Sequence, residues 1–360
     1  MLIHNQTYLN ELDQVIANVD WNGFYHRSVL IIGASGMIGS YLVDLLMRRN
    51  DQFGTDVEVY AMGRSKAHLD ARFDMYKEAG LFHEVVGDVT KPLPDDIQTD
   101  FVLHAASNTH PRAYATDPIG TIMTNLLGTQ QVLDHVVKHP AKRTLFLSSV
   151  EIYGENRGDV EKFKEDYSGY LDSNTLRAGY SEGKRVSESL CQAYLAKYGL
   201  DIVIPRICRT FGPTMKLNDS KASSQFILKA VAGEDIVLKS EGTQHYSYGY
   251  VGDIASALLF LLTHGDSGEA YNIAVPEFDL HLHELAQSLA EIAGKKVVFD
   301  LPDATELAGY SKATKAMLDA TKLNQLGWRP TFDLTTALQH TVAILKEEIH
   351  AWNQYYCANL

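Results

Sequence analysis

Residues 29–42 read VLIIGASGMIGSYL. Val29 to Ile32 form a short apolar run of strand length, and Ile38, Leu42, Leu45 and Leu46 then recur at helical spacing. Between the two stand Gly33, Gly36 and Gly39. In a strand–turn–helix that cradles a pyrophosphate, the first glycine allows the tight turn. The second lets the backbone approach the phosphates, and the third lets helix and strand pack closely. The helix start adds N–H groups and the positive end of its dipole. The spacing alone is a weak signal, but a strand before it and a helix after it point to a dinucleotide site. The competing reading is a glycine-rich turn in some other α/β protein.

Working outward, the alternation repeats. Strands are expected at Val57–Ala61, His83–Val86, Phe101–Ala105, Thr144–Ser148 and Asp201–Pro205, with helices after Ser65, over Thr121–Lys138 and over Tyr180–Tyr198. Such alternation predicts a doubly wound parallel sheet, a Rossmann fold in the α/β class. Past Phe211 the order is less regular, with helices around Ser224–Val231, Gly252–Leu262 and Leu280–Ile292. The division expected is therefore an N-terminal helical extension (1–27) and a dinucleotide-binding domain (28–210). A smaller substrate-binding lobe (211–360) follows, with some segments returning to the sheet. In the extension, Leu9, Leu12, Val15 and Ile16 share one helical face, which is expected to pack on the main body.

Composition narrows the function. The 360 residues carry a net charge of −13 with no basic block, which argues against a nucleic-acid partner. The longest apolar run, Ile254 to Leu262, is far short of the ~20 residues of a membrane span. The first residues, MLIHNQTYLNELDQV, lack the pattern of a signal peptide. Three scattered cysteines, Cys191, Cys208 and Cys357, fit a reducing compartment, so a cytoplasmic location is expected. No metal site is expected, because His104, His110 and His245 lack paired ligand spacing and the two histidines of HLHEL (281–285) are two apart.

The glycine spacing G-x-x-G-x-x-G resembles the short-chain dehydrogenase/reductase superfamily. Asp88 in GDV and the segment HAAS, His104 to Ser107, fit the same resemblance. It implies cofactor contacts from Gly33, Ser35, Gly36, Met37, Ile38 and Gly39, from Asp88, Val89, Ala105, Ala106, Ser107 and Ile207, and from Tyr180 and Lys184. An NAD site of this kind also carries an acid at the end of its second strand for the ribose 2′-OH. Here that stretch is VEVYAMGRS, with Arg64 following Gly63. Arg64 suits stacking on adenine or pairing with a 2′-phosphate, so NAD is expected and NADP stays open.

FLSSVEIYG (146–154) and RAGYSEGK (177–184) complete the pattern. Tyr180 and Lys184, four apart, share one helical face. Oxidising a sugar alcohol needs a base for the hydroxyl proton, and a tyrosine near pKa 10 needs nearby positive charge to serve. The resemblance assigns Tyr180 as that base, Lys184 as its electrostatic partner and Ser149 as hydrogen-bond donor to the same oxygen. Register relative to Tyr153-Gly154 selects Ser149 over Ser148.

From about Ser28 onward the chain is similar to extended short-chain dehydrogenases that modify nucleotide sugars, most densely over residues 177–236. That stretch looks most like UDP-glucuronate decarboxylases, with dehydratases and 4-epimerases as more distant relatives. The implied chemistry is oxidation at C4 by bound NAD, alteration through a 4-keto intermediate, then optional reduction. Glu151, two residues after Ser149, is a candidate proton shuttle, which favours a decarboxylase-like lyase narrowly over an epimerase. Val150 in place of the dehydratases' Asp counts against dehydration.

Two positions depart from the family. Tyr246, in TQHYSYGYVGD, stands where an Arg usually grips the substrate diphosphate, and Arg209, in RICRTFG, replaces an Asn. The expectation is that Arg209 takes over part of diphosphate binding while Tyr246 reshapes the sugar pocket. Ser149, Arg209, Lys221, Gln225 and Tyr246 are the expected substrate contacts. A homodimer through the helices around 121–138 and 180–198 is also expected. The rival from another class is a dinucleotide-binding sensor or scaffold, against which the retained trio of Ser149, Tyr180 and Lys184 speaks.

Overall fold

β1 (Ser28–Ile32) is buried on both faces, as its unbroken apolar run requires. Its side chains alternate between two apolar clusters. Val29 and Ile31 join one, and Leu30 and Ile32 join the other. The computed structural model describes residues 2–109, 116–300 and 314–358, with side chains as far as Ala351; His110 lies outside them.

The other strands follow in chain order. They are β2 (Glu58–Gly63), β3 (Phe82–Val86), β4 (Phe101–His104), β5 (Arg143–Phe146), β6 (Ser148–Ser149) and β7 (Ile202–Ile207). Then come β8 (Arg209–Phe211), β9 (Ile236–Leu238), β10 (His245–Tyr250), β11 (Ala270–Ile273), β12 (Asp279–His281), β13 (Val297–Phe299) and β14 (Lys315–Ala316). The main sheet runs β3-β2-β1-β4-β5-β7-β11, with β6 pairing β7. All of its pairings are parallel. Strand order reverses between β1 and β4, the switch point at which ligands bind in open α/β sheets. Ile32 and His104 end these two strands side by side, so the glycine turn and the Ala105–Ser107 segment leave the sheet together.

The expected strand Thr144–Ser148 is two pieces, Arg143–Phe146 and Ser148–Ser149, separated by Leu147. In the smaller lobe β10 pairs with β12, β14 and β8, and β9 pairs with β13. β11 returns to the main sheet beside β7. One apolar cluster runs from Tyr8 to Leu345, so both lobes share a core.

The N-terminal helix, Gln6–Asn18, is capped by the Asn5 side chain, which accepts from the Tyr8 N–H at 3.0 Å. It joins the same cluster through Tyr8, Leu12, Val15 and Ile16. Leu9, partly buried, packs against the same cluster, as expected for its face. Tyr8 carries a polar tip as well as a ring, and its hydroxyl donates to the buried Asp44 at 2.6 Å. On the same face the buried Glu11 accepts from the Tyr250 hydroxyl at 2.5 Å. Among the described residues no helix is long and apolar enough to cross a membrane.

Candidate functional site

The glycine turn is built around main chain. Gly33 has φ +91°, and a Cβ on it would stand 2.8 Å from the Ala106 nitrogen. A Cβ on Gly39 would come within 2.5 Å of the Gly33 carbonyl oxygen. Packing within the chain therefore forces both glycines. Gly36 differs: a Cβ there meets only the Gly33 oxygen, at 3.2 Å. Its lack of a side chain leaves the backbone open to a ligand. Gly36 caps the helix Met37–Phe53, whose first turn has no acidic residue, so nothing in that turn opposes an anion at the dipole's positive end. Ser35, Gly36, Met37 and Ile38 are all half-buried. The Met37 carbonyl accepts from the Thr214 hydroxyl at 2.9 Å.

Beyond β3, Asp88 accepts from the Thr90 N–H at 3.0 Å and the Thr90 hydroxyl at 2.9 Å. The Thr90 N–H chiefly holds its carboxyl below the usual range, with Arg64 assisting from the exposed end of β2. Val89 is buried beneath it in the cluster of Leu30 and Ile32. Ala105 N–H donates to the Ile32 carbonyl at 2.9 Å, and the Ser107 hydroxyl donates to Asn125 at 2.9 Å.

Sequence reasoning missed Asn125. It is buried on the helix Pro118–Lys138, and its carbonyl accepts from the Ser187 hydroxyl at 2.9 Å, joining the HAAS segment to the helix Ala178–Tyr198. The available signal was an amide inside the apolar face of TNLLG. A buried amide needs partners, so it marks a polar junction.

The two serines of FLSSVEIYG part at the end of the sheet. Ser148 donates to Glu188 at 2.5 Å, and Glu188 is held by Arg206 at 2.7 Å. Ser149 caps the short 3₁₀ turn Val150–Tyr153 by accepting from the Glu151 N–H at 3.2 Å, and it also hydrogen-bonds Tyr180. Ile207, the end of β7, pairs with Ser149.

Tyr180 and Lys184 sit on the helix Ala178–Tyr198 and are both buried. Burial pushes the Tyr180 phenol up to about 12; the Ser149 hydrogen bond opposes this and the Glu151 charge adds to it. The Lys184 ammonium donates to the Leu147 carbonyl at 2.7 Å and lies 4.8 Å over the Phe146 ring. Burial pushes Lys184 down to about 8, with Glu188 opposing. The buried His104 is pushed down to about 3, by burial first and Lys184 second, so it is neutral. No group of three or more His, Cys, Asp or Glu able to hold a metal occurs among the described residues.

Next to Glu151 lies the pair expected to depart from the family pattern, Arg209 and Tyr246. The Arg209 guanidinium lies 3.3 Å from Glu151 Oε1 and 3.6 Å over the Tyr246 ring, and its buried Nη1 has no hydrogen-bond partner among the described residues. Burial raises the Tyr246 phenol, with Arg209 opposing. Lys221 and Gln225 are tied to Asp219 instead. Lys221 Nζ is 3.4 Å from its carboxylate, and the Gln225 amide donates to its carbonyl at 2.5 Å.

Comparison with known proteins adds three findings. The NAD dependent epimerase/dehydratase family matches residues 29–274. UDP-glucuronic acid decarboxylase 1 of Danio rerio is 32% identical over 333 residues, covering 91% of this chain and 75% of its own length. Among solved structures, dTDP-glucose 4,6-dehydratase of Bacillus anthracis in complex with NAD superposes with a TM-score of 0.74 at 20% identity, covering 91% of this chain and 99% of that one. UDP-glucuronic acid 4-epimerase of Bacillus cereus, in complex with UDP-glucuronic acid and NAD, superposes with a TM-score of 0.75 at 21% identity, covering 89% and 99%. At these identities the superpositions speak for the fold.

Proposed function

The chain belongs to the NAD-dependent epimerase/dehydratase family, and from that premise we propose that it oxidises C4 of a nucleotide-diphosphate sugar, alters the sugar through the 4-keto form, and can reduce it again. The observation that carries this is Tyr180, on the helix Ala178–Tyr198 and hydrogen-bonded by Ser149 of β6, beside a sheet whose switch point lies between the glycine turn and HAAS.

The residues present fit NAD. Gly36 leaves open backbone at a helix start without acidic residues, and Ala105 to Ser107 leave the sheet beside it. Bound there, NAD would supply a hydride acceptor for C4 and the positive charge of its nicotinamide. Tyr180 accepts the C4 hydroxyl proton. Because burial holds its phenol at about 12, it needs the Ser149 hydrogen bond and outside positive charge to reach the phenolate. Lys184, anchored on Leu147, is assigned to the nicotinamide ribose. Lys221 and Gln225 are assigned to the substrate side. Arg64, exposed beyond β2, leaves room for NADP as well as NAD at the adenine end.

Glu151 is assigned as proton shuttle, and with the decarboxylase relatives it favours a lyase narrowly over an epimerase. A homodimer belongs to the same reading. Ile119, Ile122 and Met123 on the helix Pro118–Lys138, and Val186 on the helix Ala178–Tyr198, are exposed apolar residues on two helices that pack together. So does a cytoplasmic location, supported by the buried free thiols Cys191 and Cys208.

The test is product mass after incubation with a panel of nucleotide sugars that includes UDP-glucuronate. Loss of carbon dioxide or water is expected. Unchanged mass with altered chromatographic mobility would turn the assignment to epimerase and make Glu151 a pocket-lining residue. No conversion of any sugar by NAD-loaded protein would sink the enzymatic reading.

A further inference from the structure

Arg209 stands where the chain leaves one sheet for the other. β7 ends at Ile207, paired with Ser149, and β8 begins at Arg209, paired with Tyr248 of β10. Glu151 follows Ser149 by two residues. Tyr246 precedes Tyr248 by two and so shares its face of β10. These registers converge Arg209, Glu151 and Tyr246 at the reacting end of the site. The Tyr246 ring supports the guanidinium plane at 3.6 Å, and Nη2 lies 3.3 Å from Glu151. Nη1 is buried and has no partner among the described residues. Glu151 in turn is close enough to Tyr180 for its charge to raise the phenol.

A buried guanidinium nitrogen without an acceptor carries its desolvation cost uncompensated, which marks a place where a ligand's acceptor belongs. The planar fork of an arginine matches a carboxylate through two parallel hydrogen bonds. Here one of its two terminal nitrogens faces Glu151 and the other is unused. In a pyranose the diphosphate leaves from C1, across the ring from C4, whereas the C5 substituent adjoins C4. A guanidinium one carboxylate away from the base that takes the C4 proton is therefore close to the C5 substituent and remote from the diphosphate.

We infer that Arg209 is the residue that selects a sugar with a carboxylate on C5, and that this carboxylate displaces Glu151 from the guanidinium. The inference rests on the nucleotide-sugar reading above, and it moves Arg209 from the diphosphate to the sugar end. Before binding, Arg209 neutralises Glu151. On binding, the substrate carboxylate takes both terminal nitrogens, and Glu151 is released beside Tyr180. The two carboxylates repel each other, which helps move Glu151 off the guanidinium. Tyr246 acts as a positioning residue through the plane of Arg209.

The experiment is calorimetric titration of the NAD-loaded Tyr180→Phe protein, which binds without turnover, with UDP, UDP-glucose and UDP-glucuronate. UDP-glucuronate is expected to bind about tenfold more tightly than UDP-glucose. Adding Arg209→Gln should bring that ratio to about one while leaving UDP within about twofold. Adding Glu151→Gln removes the competing carboxylate and should tighten UDP-glucuronate by several-fold, with UDP-glucose unchanged.

Equal weakening of all three ligands by Arg209→Gln would return the residue to the diphosphate and overturn the inference. So would a ratio untouched by Glu151→Gln, a variant whose use does not depend on the folding of the arginine variants. Binding of none of the three would defeat the nucleotide-sugar reading itself, a result distinct from either.

Discussion

The two sides of the site are made of different material. On the cofactor side the structural constraints are main chain: Gly33 against the Ala106 nitrogen, Gly39 against the Gly33 carbonyl, Ala105 bonded to Ile32. On the sugar side they are side chains: Ser149 on Tyr180, Arg209 on Glu151, Arg209 over Tyr246. A backbone surface presents the same groups whatever the sequence, but it tolerates no added atom where chain meets chain. A side-chain surface can be re-cut one residue at a time. A guanidinium rooted on β8 stacks on a tyrosine of β10, and the two residues expected to depart from the family pattern are these two touching residues. The common chemistry of a family is thus expected on the first side, and the choice of substrate on the second.

That contrast can be broken by substitution. The largest effect is expected from Tyr180→Phe. Loss of the base should lower kcat by about 10²–10⁴ while NAD content, read by absorbance after denaturation, stays that of the parent. Loss of NAD with the hydroxyl would show that the sides are not separable. Next comes Gly33→Ala. With φ at +91° and the Ala106 nitrogen 2.8 Å from the new Cβ, strain of about 1–3 kcal/mol is expected, and NAD should bind about 10–100-fold more weakly. An unchanged Kd by fluorescence titration would deny the backbone constraint.

The smallest effect sharpens the sugar side and has opposite signs at neighbouring residues. The Ser149 hydrogen bond lowers the Tyr180 phenol and the Glu151 charge raises it. In the pH profile of single-turnover oxidation, the limb that rises with pH as the phenolate forms should move to higher pH in Ser149→Ala and to lower pH in Glu151→Gln. Shifts in the same direction would mean that the two do not act on one phenol.

Much of this was legible in local pattern. The alternation of strands and helices, the glycine turn, and the shared face of Tyr180 and Lys184 are set by spacings of two to four residues, which backbone geometry converts directly into faces. Less legible was the partner of each polar group. The Lys184 ammonium donates to the Leu147 carbonyl across 37 residues of chain. The N-terminal helix packs its Leu9, Leu12, Val15 and Ile16 face on the core as expected, and it also buries Tyr8, whose phenol donates to Asp44 on a different helix.

The sequence by itself determined that the chain folds as a parallel α/β sheet with a glycine turn and a tyrosine–lysine helix, because those features repeat at the period of the element that carries them. Only the tertiary structure decided that Ser148 turns to Glu188, that Asn125 joins HAAS to the helix Ala178–Tyr198, and that Arg209 lies between Glu151 and Tyr246. Each of these depends on strand register or on packing between distant segments. A residue's neighbours across a sheet follow from which strands pair and in what register, and no local period encodes that.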